Sequence, residues 1–292
     1  MKKVIISLLA AASVISLYSQ DTTAVEGPWK ATGMFSLNMS QVALSNWSQG
    51  GESSYALNTL AVFGTDYTIG KSKWANLFDI GYGVQKVGAN EMGKTDDHFE
   101  VTSRYGYQTS KNWFLSGMLN VKSQFTRGYN STEADRILIS DFMSPGYILI
   151  SLGMEYKPNE VFTATFSPVS GKLTIVTNDS LSQAGSFGVN PGENMRSEFG
   201  GNIKVLLTRE IMKNVTLTTS LDLFSNYIDN PLNIDVSWKL LLNMKVNEFL
   251  SANISTHLLY DDDINYTDNM GVSQGPRVQF KEMLGIGLSV KF

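Results

Sequence analysis

The sequence predicts an all-β chain: a transmembrane antiparallel β-barrel of about 12 strands, within a range of about 10–14, in up-and-down order. Three observations predict it. Apolar and polar residues alternate with a period of two along most of the chain, so each segment has one dry and one wet face. The links between segments are alternately short and long. Aromatic residues gather at segment ends.

In chain order, MKKVIISLLAAASVISLYSQ opens with Lys2 and Lys3, runs apolar from Val4 to Leu17 and ends in small or polar residues. That is the pattern of a secretory signal peptide over residues 1–19, too short to span a bilayer as a helix. Residues 20–28 are expected to form a short periplasmic segment and 29–292 the barrel. Strands are expected near 29–44, 54–70, 75–88, 97–110, 112–127, 147–158, 160–177, 196–210, 213–228, 231–247, 248–261 and 276–292.

Alternation is plain in several of these. Phe99, Val101, Tyr105 and Tyr107 oppose His98, Glu100, Thr102, Arg104 and Gln108; Val215, Leu217, Leu221 and Leu223 oppose Thr216, Thr218, Ser220 and Asp222. Val236, Trp238, Leu240 and Leu242 oppose Asp235, Ser237, Lys239, Asn243 and Lys245, and in the last segment Phe280, Leu284, Ile286, Leu288 and Phe292 oppose Lys281, Gly285, Gly287, Ser289 and Lys291.

A soluble sandwich also alternates, so the links have to separate the two folds. KSKW, KN, PN, EIMK and NE follow the even-numbered strands, whereas NWSQGGESS, ANEMGKTDD and the stretches 128–146, 178–195 and 262–275 follow odd-numbered ones. Short turns on one rim and long loops on the other characterise outer-membrane barrels. The tight Asp229-Asn230-Pro231 turn on the long-loop side is the exception. Tyr67, Trp74, Trp113, Tyr156, Phe162, Phe249 and Phe292 fall near the short-turn rim; Trp47, Tyr55, Phe125, Tyr129, Tyr147, Tyr227 and Tyr260 fall near the other. Trp and Tyr settle where hydrocarbon meets headgroups, so two girdles are expected.

Composition excludes several classes. Removing residues 1–19 takes the 23 Lys and Arg down to 21 against 27 Asp and Glu, without the basic stripe that nucleic acid requires. The chain has no cysteine, which excludes disulfides and a lipid-modified cysteine after the signal. The pair Gly50-Gly51 in SNWSQGGESS is followed by Glu52 rather than the Lys of a phosphate loop, so it reads as a chain reversal.

The terminal GLSVKF resembles the C-terminal strand that outer-membrane barrels present to their insertion machinery, with Phe292 as the signal. Further blocks are LSNWSQGG (Leu44 to Gly51), KTDD (Lys94 to Asp97), SRYGYQ (Ser103 to Gln108), SPVSGKLTIV (Ser167 to Val176), GSFGVNPGE (Gly185 to Glu193) and LDLFSNYIDNPLNIDVSW (Leu221 to Trp238). Together they resemble a family of Bacteroidetes outer-membrane proteins catalogued as a domain of unknown function, over nearly all of the chain after the signal. The resemblance implies a barrel in the cell outer membrane and no assigned activity.

No catalytic constellation emerges. Both histidines, His98 and His257, fall on polar faces, with no nucleophile motif beside them. In YDDDINYTDN, Asp261, Asp263 and Asn265 match the start of a calcium loop, but Tyr266 replaces its Gly and Val272 its closing Glu. No metal and no cofactor is expected.

Turning the polar faces inward places Asp79, His98, Glu100, Arg104, Lys122, Glu155, Lys204, Asp222, Asp235, Lys239, Lys245, His257, Lys281 and Lys291 in the lumen, with bases in mild excess. The leading expectation is a narrow pore for small polar solutes with both termini periplasmic. A closed barrel serving an envelope complex ranks next, and a barrel hydrolase last. The expected partners are outer-membrane lipid, the insertion machinery and other envelope proteins. The apolar Ile137-Leu138-Ile139 and Phe142-Met143 in the 128–146 loop suit either a plug or a rim cover.

Overall fold

The computed structural model describes residues 27–44, 51–130, 136–267 and 273–291. The signal segment, Trp47 and Phe292 lie outside them.

Twelve long strands close into one antiparallel barrel: β1 (Trp29–Val42), β2 (Ser54–Ile69), β3 (Ser72–Val87), β4 (Gly93–Ser110), β5 (Trp113–Ser123), β8 (Gly146–Tyr156), β9 (Phe162–Ile175), β10 (Met195–Met212), β11 (Val215–Asn226), β12 (Ile234–Lys245), β13 (Leu250–Tyr260) and β16 (Gln279–Lys291). Each expected segment is one of these strands. Two small hairpins, β6 (Gly128–Tyr129) with β7 (Leu138–Ser140) and β14 (Asn265–Thr267) with β15 (Ser273–Pro276), lie within long loops. Every barrel strand pairs with its sequence neighbours, and β1 closes the ring on β16, with Phe35 opposite Val290. Closure leaves no free sheet edge, which a strand structure in lipid requires.

The barrel has its apolar surface outside. Phe35, Phe63, Phe78, Ile80, Leu115, Leu119, Phe166, Trp238 and Leu284 are exposed, while their chain neighbours Ser36, Ser116, Asn120 and Ser167 on the opposite face, and Asn202 paired with Ser167, are buried. That inversion is stable when the outer solvent is hydrocarbon. At the short-turn rim Trp29 packs on Tyr67 at 4.8 Å and on Trp74 at 5.9 Å, and Trp113 packs on Tyr156 at 4.9 Å. Their polar atoms find partners within the sheet: Trp74 Nε1 donates to Ser103 Oγ at 2.9 Å. The opposite rim carries Phe99 with Phe125 at 5.1 Å and Phe199 with Tyr227 at 6.0 Å.

Tyr147 departs from the expected girdle. It pairs in register with Lys122 and lies 5.3 Å from that ammonium, on the inner wall. A tyrosine at a strand end faces lipid only if its phase matches the outward set, and Tyr147 shares the phase of Ser151 and Glu155.

Strand β9 changes phase midway. Phe166 pairs with Met154 but Val169 with Leu152, and Ser167 pairs with Asn202 but Ser170 with Gly200, so β9 carries one extra residue against both neighbours. Pro168 sits in that bulge. Proline lacks the N–H that a ladder uses, and a bulge is where an interior strand tolerates it. Before the bulge Thr163, Thr165 and Ser167 face inward; after it Ser170, Lys172 and Thr174 do.

The two rims differ as the links predict. Residues 70–71, 111–112, 157–161, 213–214 and 246–249 make the short turns, with Gly70 and Asn214 taking the left-handed conformations that tight reversals need. On the other rim, residues 176–194 fold over the barrel mouth. Helix α1 (Asp179–Gln183) is capped by Asn178, whose side chain accepts from the Ser180 and Leu181 N–H groups. Val176, Leu181 and Val189 are buried here with Leu138 and Phe187 against them. Among the described residues this buried apolar cluster belongs to the loops, not to the barrel.

Candidate functional site

The lumen holds a network of charges joined across strands that are not neighbours. Lys239 on β12 donates to Glu100 on β4 at 2.6 Å and to Asp79 on β3 at 3.4 Å. In the ring order β12 and β4 lie six strands apart in either direction, on opposite walls. A circular ring of twelve strands, spaced about 4.8 Å and tilted about 40°, would be roughly 24 Å across. An extended Lys and Glu in contact bridge only about half of that. The opposed walls therefore approach each other at this level, and the side chains form a strut across the passage.

More pairs lie around the strut. Lys204 reaches Asp222 at 3.4 Å and Glu100 at 3.8 Å. Lys281 donates to Asp96 at 2.7 Å. His98 stands between Asp96, 3.1 Å from Nδ1, and Asp79, 3.4 Å from Nε2. Gly81, opposite His98 in register, leaves the space the ring occupies, since a Cβ there would overlap His98 Cε1. Asn120 supports Glu100 with a 2.7 Å hydrogen bond. Nearer the short-turn rim, Arg104 Nε meets Glu155 at 2.9 Å. Lys122 holds its ammonium over the Tyr147 ring, and Lys245 lies exposed at the short-turn rim.

A second cluster lies at the mouth under the long loops. Lys172 contacts Asp235 at 2.5 Å, Asp261 at 3.4 Å and Glu198 at 3.5 Å. Arg196 contacts Glu198 at 2.9 Å and Asp263 at 2.8 Å. Asp261 and Asp263, two of the calcium-like positions, are thus held by cations of the barrel wall. Asp262 accepts from Asn233 at 2.5 Å and from Tyr260 at 2.8 Å. Among the described residues no group of three or more His, Cys, Asp and Glu is arranged to hold a metal.

Asp96, Lys172, Arg196, Glu198 and Asp261 are absent from the lumenal set expected from the sequence. Adding them narrows the basic excess, and the mouth cluster places four carboxylates around Lys172 and Arg196. Lys172 was hidden by the Pro168 bulge, which reverses the inward phase of β9. Of Lys291 only the backbone is described, paired with Met34.

His257 sits on the inner wall between Lys239 and Lys281, its partners in register on β12 and β16. Its Nε2 lies 3.0 Å from Ser237 Oγ. A nucleophile and base in contact are two parts of a hydrolytic triad, but the third part, an acid orienting the ring, has no counterpart among the described residues. The groups flanking it in register are the cations Lys239 and Lys281 rather than an acid.

The loops above the mouth are tied together by polar contacts. Asp141 accepts from Asn178 Nδ2 at 3.0 Å and Arg127 Nε at 3.2 Å, and from its neighbour Phe142 N–H at 2.9 Å. Partial burial pushes the Asp141 carboxyl up, but the Phe142 N–H, the Asn178 amide and the Arg127 guanidinium together hold it below the usual range. Thr177 Oγ1 donates to Phe142 O at 2.8 Å, and Asn178 N donates to Ser144 Oγ at 2.9 Å. The 124–145 loop therefore covers part of the rim and braces the 176–194 loop. Its Leu138 turns to the small buried cluster, while Ile137, Ile139 and Phe142 stay exposed.

Residues 39–129 match a family model described as a protein of unknown function, DUF3078. The match includes the LSNWSQGG, KTDD and SRYGYQ blocks; the three later blocks lie beyond it. No curated protein matches the chain. Among solved structures, the translocator domain of the autotransporter NalP from Neisseria meningitidis is 11% identical, with 100% of this chain and 96% of that chain covered and a TM-score of 0.38. An outer membrane channel from Pseudomonas putida F1 is 10% identical, with 94% and 100% covered and a TM-score of 0.40. The NanC porin is 8% identical, with 88% and 98% covered and a TM-score of 0.38. Superpositions this loose fix neither role nor cargo.

Proposed function

We propose that the chain is a bacterial outer-membrane barrel whose lumen is a narrow, charge-lined passage for small polar solutes, with both termini periplasmic. The closed barrel, its apolar outer band and the contrast between short-turn and long-loop rims support the location. Phe292 and the terminal strand serve the insertion machinery in this reading, and the outer band meets lipid.

One observation carries the passage reading. The Lys239 strut crosses the lumen, yet its side chain is 35% exposed and those of Asp79 and Glu100 are 21% and 17% exposed. A lumen filled with side chains would leave such groups dry. These keep accessible surface at a level where the opposed walls approach each other, as selectivity constrictions do.

The test is conductance of the full chain, refolded in detergent, shown to be heat-modifiable on a gel and inserted into a planar bilayer. Small, discrete, reproducible steps are expected. Silence from protein shown to be folded removes the passage reading.

A second reading has its own observation. The exposed Ile137, Ile139 and Phe142 on the braced loops would serve a closed barrel that docks an envelope partner. Gentle solubilisation from the native membrane with no co-purifying protein would count against it.

A further inference from the structure

We propose that the lumenal strut is a binding site for a small zwitterion, a solute bearing one carboxylate and one ammonium group. The inference rests on the passage reading and names the solute class that this passage accepts.

A basic row faces a wall of mainly acidic groups at the strut. In the row, Lys239, His257 and Lys281 are successive neighbours in register across β12, β13 and β16. On the facing wall, Asp79 and Glu100 pair in register across β3 and β4, with Asp96 nearby on β4, His98 between Asp79 and Asp96, and Lys122 paired with Glu100 on β5. Lys239 reaches Glu100 at 2.6 Å, and Lys281 reaches Asp96 at 2.7 Å. A solute passing this level has to part these contacts.

The cost of parting them depends on the charge of the solute. A simple cation satisfies the acidic wall and leaves Lys239 and Lys281 without partners in a confined space; a simple anion does the converse. A zwitterion inserted between the walls gives its carboxylate to the basic row and its ammonium to the acids. Every charge keeps a partner, and the net charge of the lumen is unchanged.

There is room beside the basic row. A cavity of about 260 Å³ is lined by His257, Leu259, Gln279, Phe280 and Lys281, enough for a solute of several heavy atoms when a water molecule takes about 30 Å³. His257 adds a polar group to this wall. Ser237 Oγ fixes its ring at 3.0 Å, and among the described residues no carboxylate is hydrogen-bonded to it.

The test uses folded, heat-modifiable full-length protein in detergent and ligand-observed NMR titration with glycine, against acetate, ethylammonium and acetamide at the same concentrations. Glycine is expected to bind at least tenfold more tightly than each of the others, and the Lys239→Gln and Lys281→Gln variants are expected to lose that preference while staying heat-modifiable. Swelling of proteoliposomes in the same solutes is measured in parallel. Glycine binding no tighter than acetamide overturns the proposal even if the liposomes swell, in which case the passage reading stands without it. Preferential glycine binding without swelling supports the site and removes the passage. If both Gln variants fail to fold, a Glu100→Gln variant decides: it removes one acid while leaving the basic row, and undiminished preference for glycine in it overturns the proposal.

Discussion

Lys239 Nζ and Glu100 Oε2 lie 2.6 Å apart, although they belong to opposite walls of the barrel and are separated by 139 residues of chain. Only closure of the ring brings them together. Their contact therefore reports both the integrity of the barrel and the width of its lumen.

Replacing Lys239 by Ala leaves Glu100 and Asp79 facing the constriction without this cation. Breaking a fully buried pair by removing one partner costs about 3–5 kcal/mol; because Lys239 is 35% exposed, water screens the remaining acids and a loss of about 1–2 kcal/mol is expected. The temperature at which heat-modifiability is lost should fall accordingly. In bilayers the variant should show larger steps than the parent and a reversal potential shifted towards cation selectivity. Unchanged step size would mean that the strut does not set the constriction.

The braced loops should respond to Asp141 and Asn178 independently of the barrel. Removing the cap with Asn178→Ala costs about 1 kcal/mol of local stability, and hydrogen exchange across residues 176–194 should quicken while the strands stay protected. Acid should do the same. The Asp141 carboxyl has a folded value below its unfolded one, so its contribution is present above about pH 3.9 and is lost as pH falls through the folded value. Protease cleavage in this loop should rise on acidification below that point in the parent but change little in Asp141→Asn. Equal acid sensitivity in both would place the origin elsewhere.

The lipid-facing surface makes a depth-dependent prediction. Ile80 lies midway along β3 and Trp74 near its short-turn end, both exposed on the outer face. An Arg at Ile80 should cost about 2–4 kcal/mol of folding stability in lipid, and an Arg at Trp74 only about 0–1 kcal/mol for its position, plus the loss of its ring contact with Trp29. Equal costs at the two positions would argue against a hydrocarbon band centred on Ile80.

The strands were legible in the sequence because each barrel face meets a different solvent, so a period of two marks both the element and its orientation. The strut residues Asp79, Glu100 and Lys239 were legible as members of the polar set, but their pairing was not, since it joins positions 139 and 160 residues apart through ring closure. Tyr147 was misplaced because nearness to a strand end says nothing about phase. Asp96 precedes the expected start of its strand and follows a register shift at Thr95. Lys172 lies past the other shift, where phase counted from Thr163 gives the wrong face. Irregularities of one residue are weak signals in composition and decisive ones in geometry.

The Pro168 bulge supplies a test of that last argument. Deleting Pro168 removes the one residue by which β9 exceeds both neighbours, so a regular two-residue period from Thr163 still brings Ser170, Lys172 and Thr174 to the inner face and keeps their pairing with β8 and β10. Glu198, Asp235 and Asp261 keep their shared cation. The deletion variant should therefore still reach the heat-modifiable state. Pro168→Ala keeps the extra residue and should assemble as well. Failure of the deletion variant alone would show that β9 needs the bulge itself and not only the inward phase of Lys172.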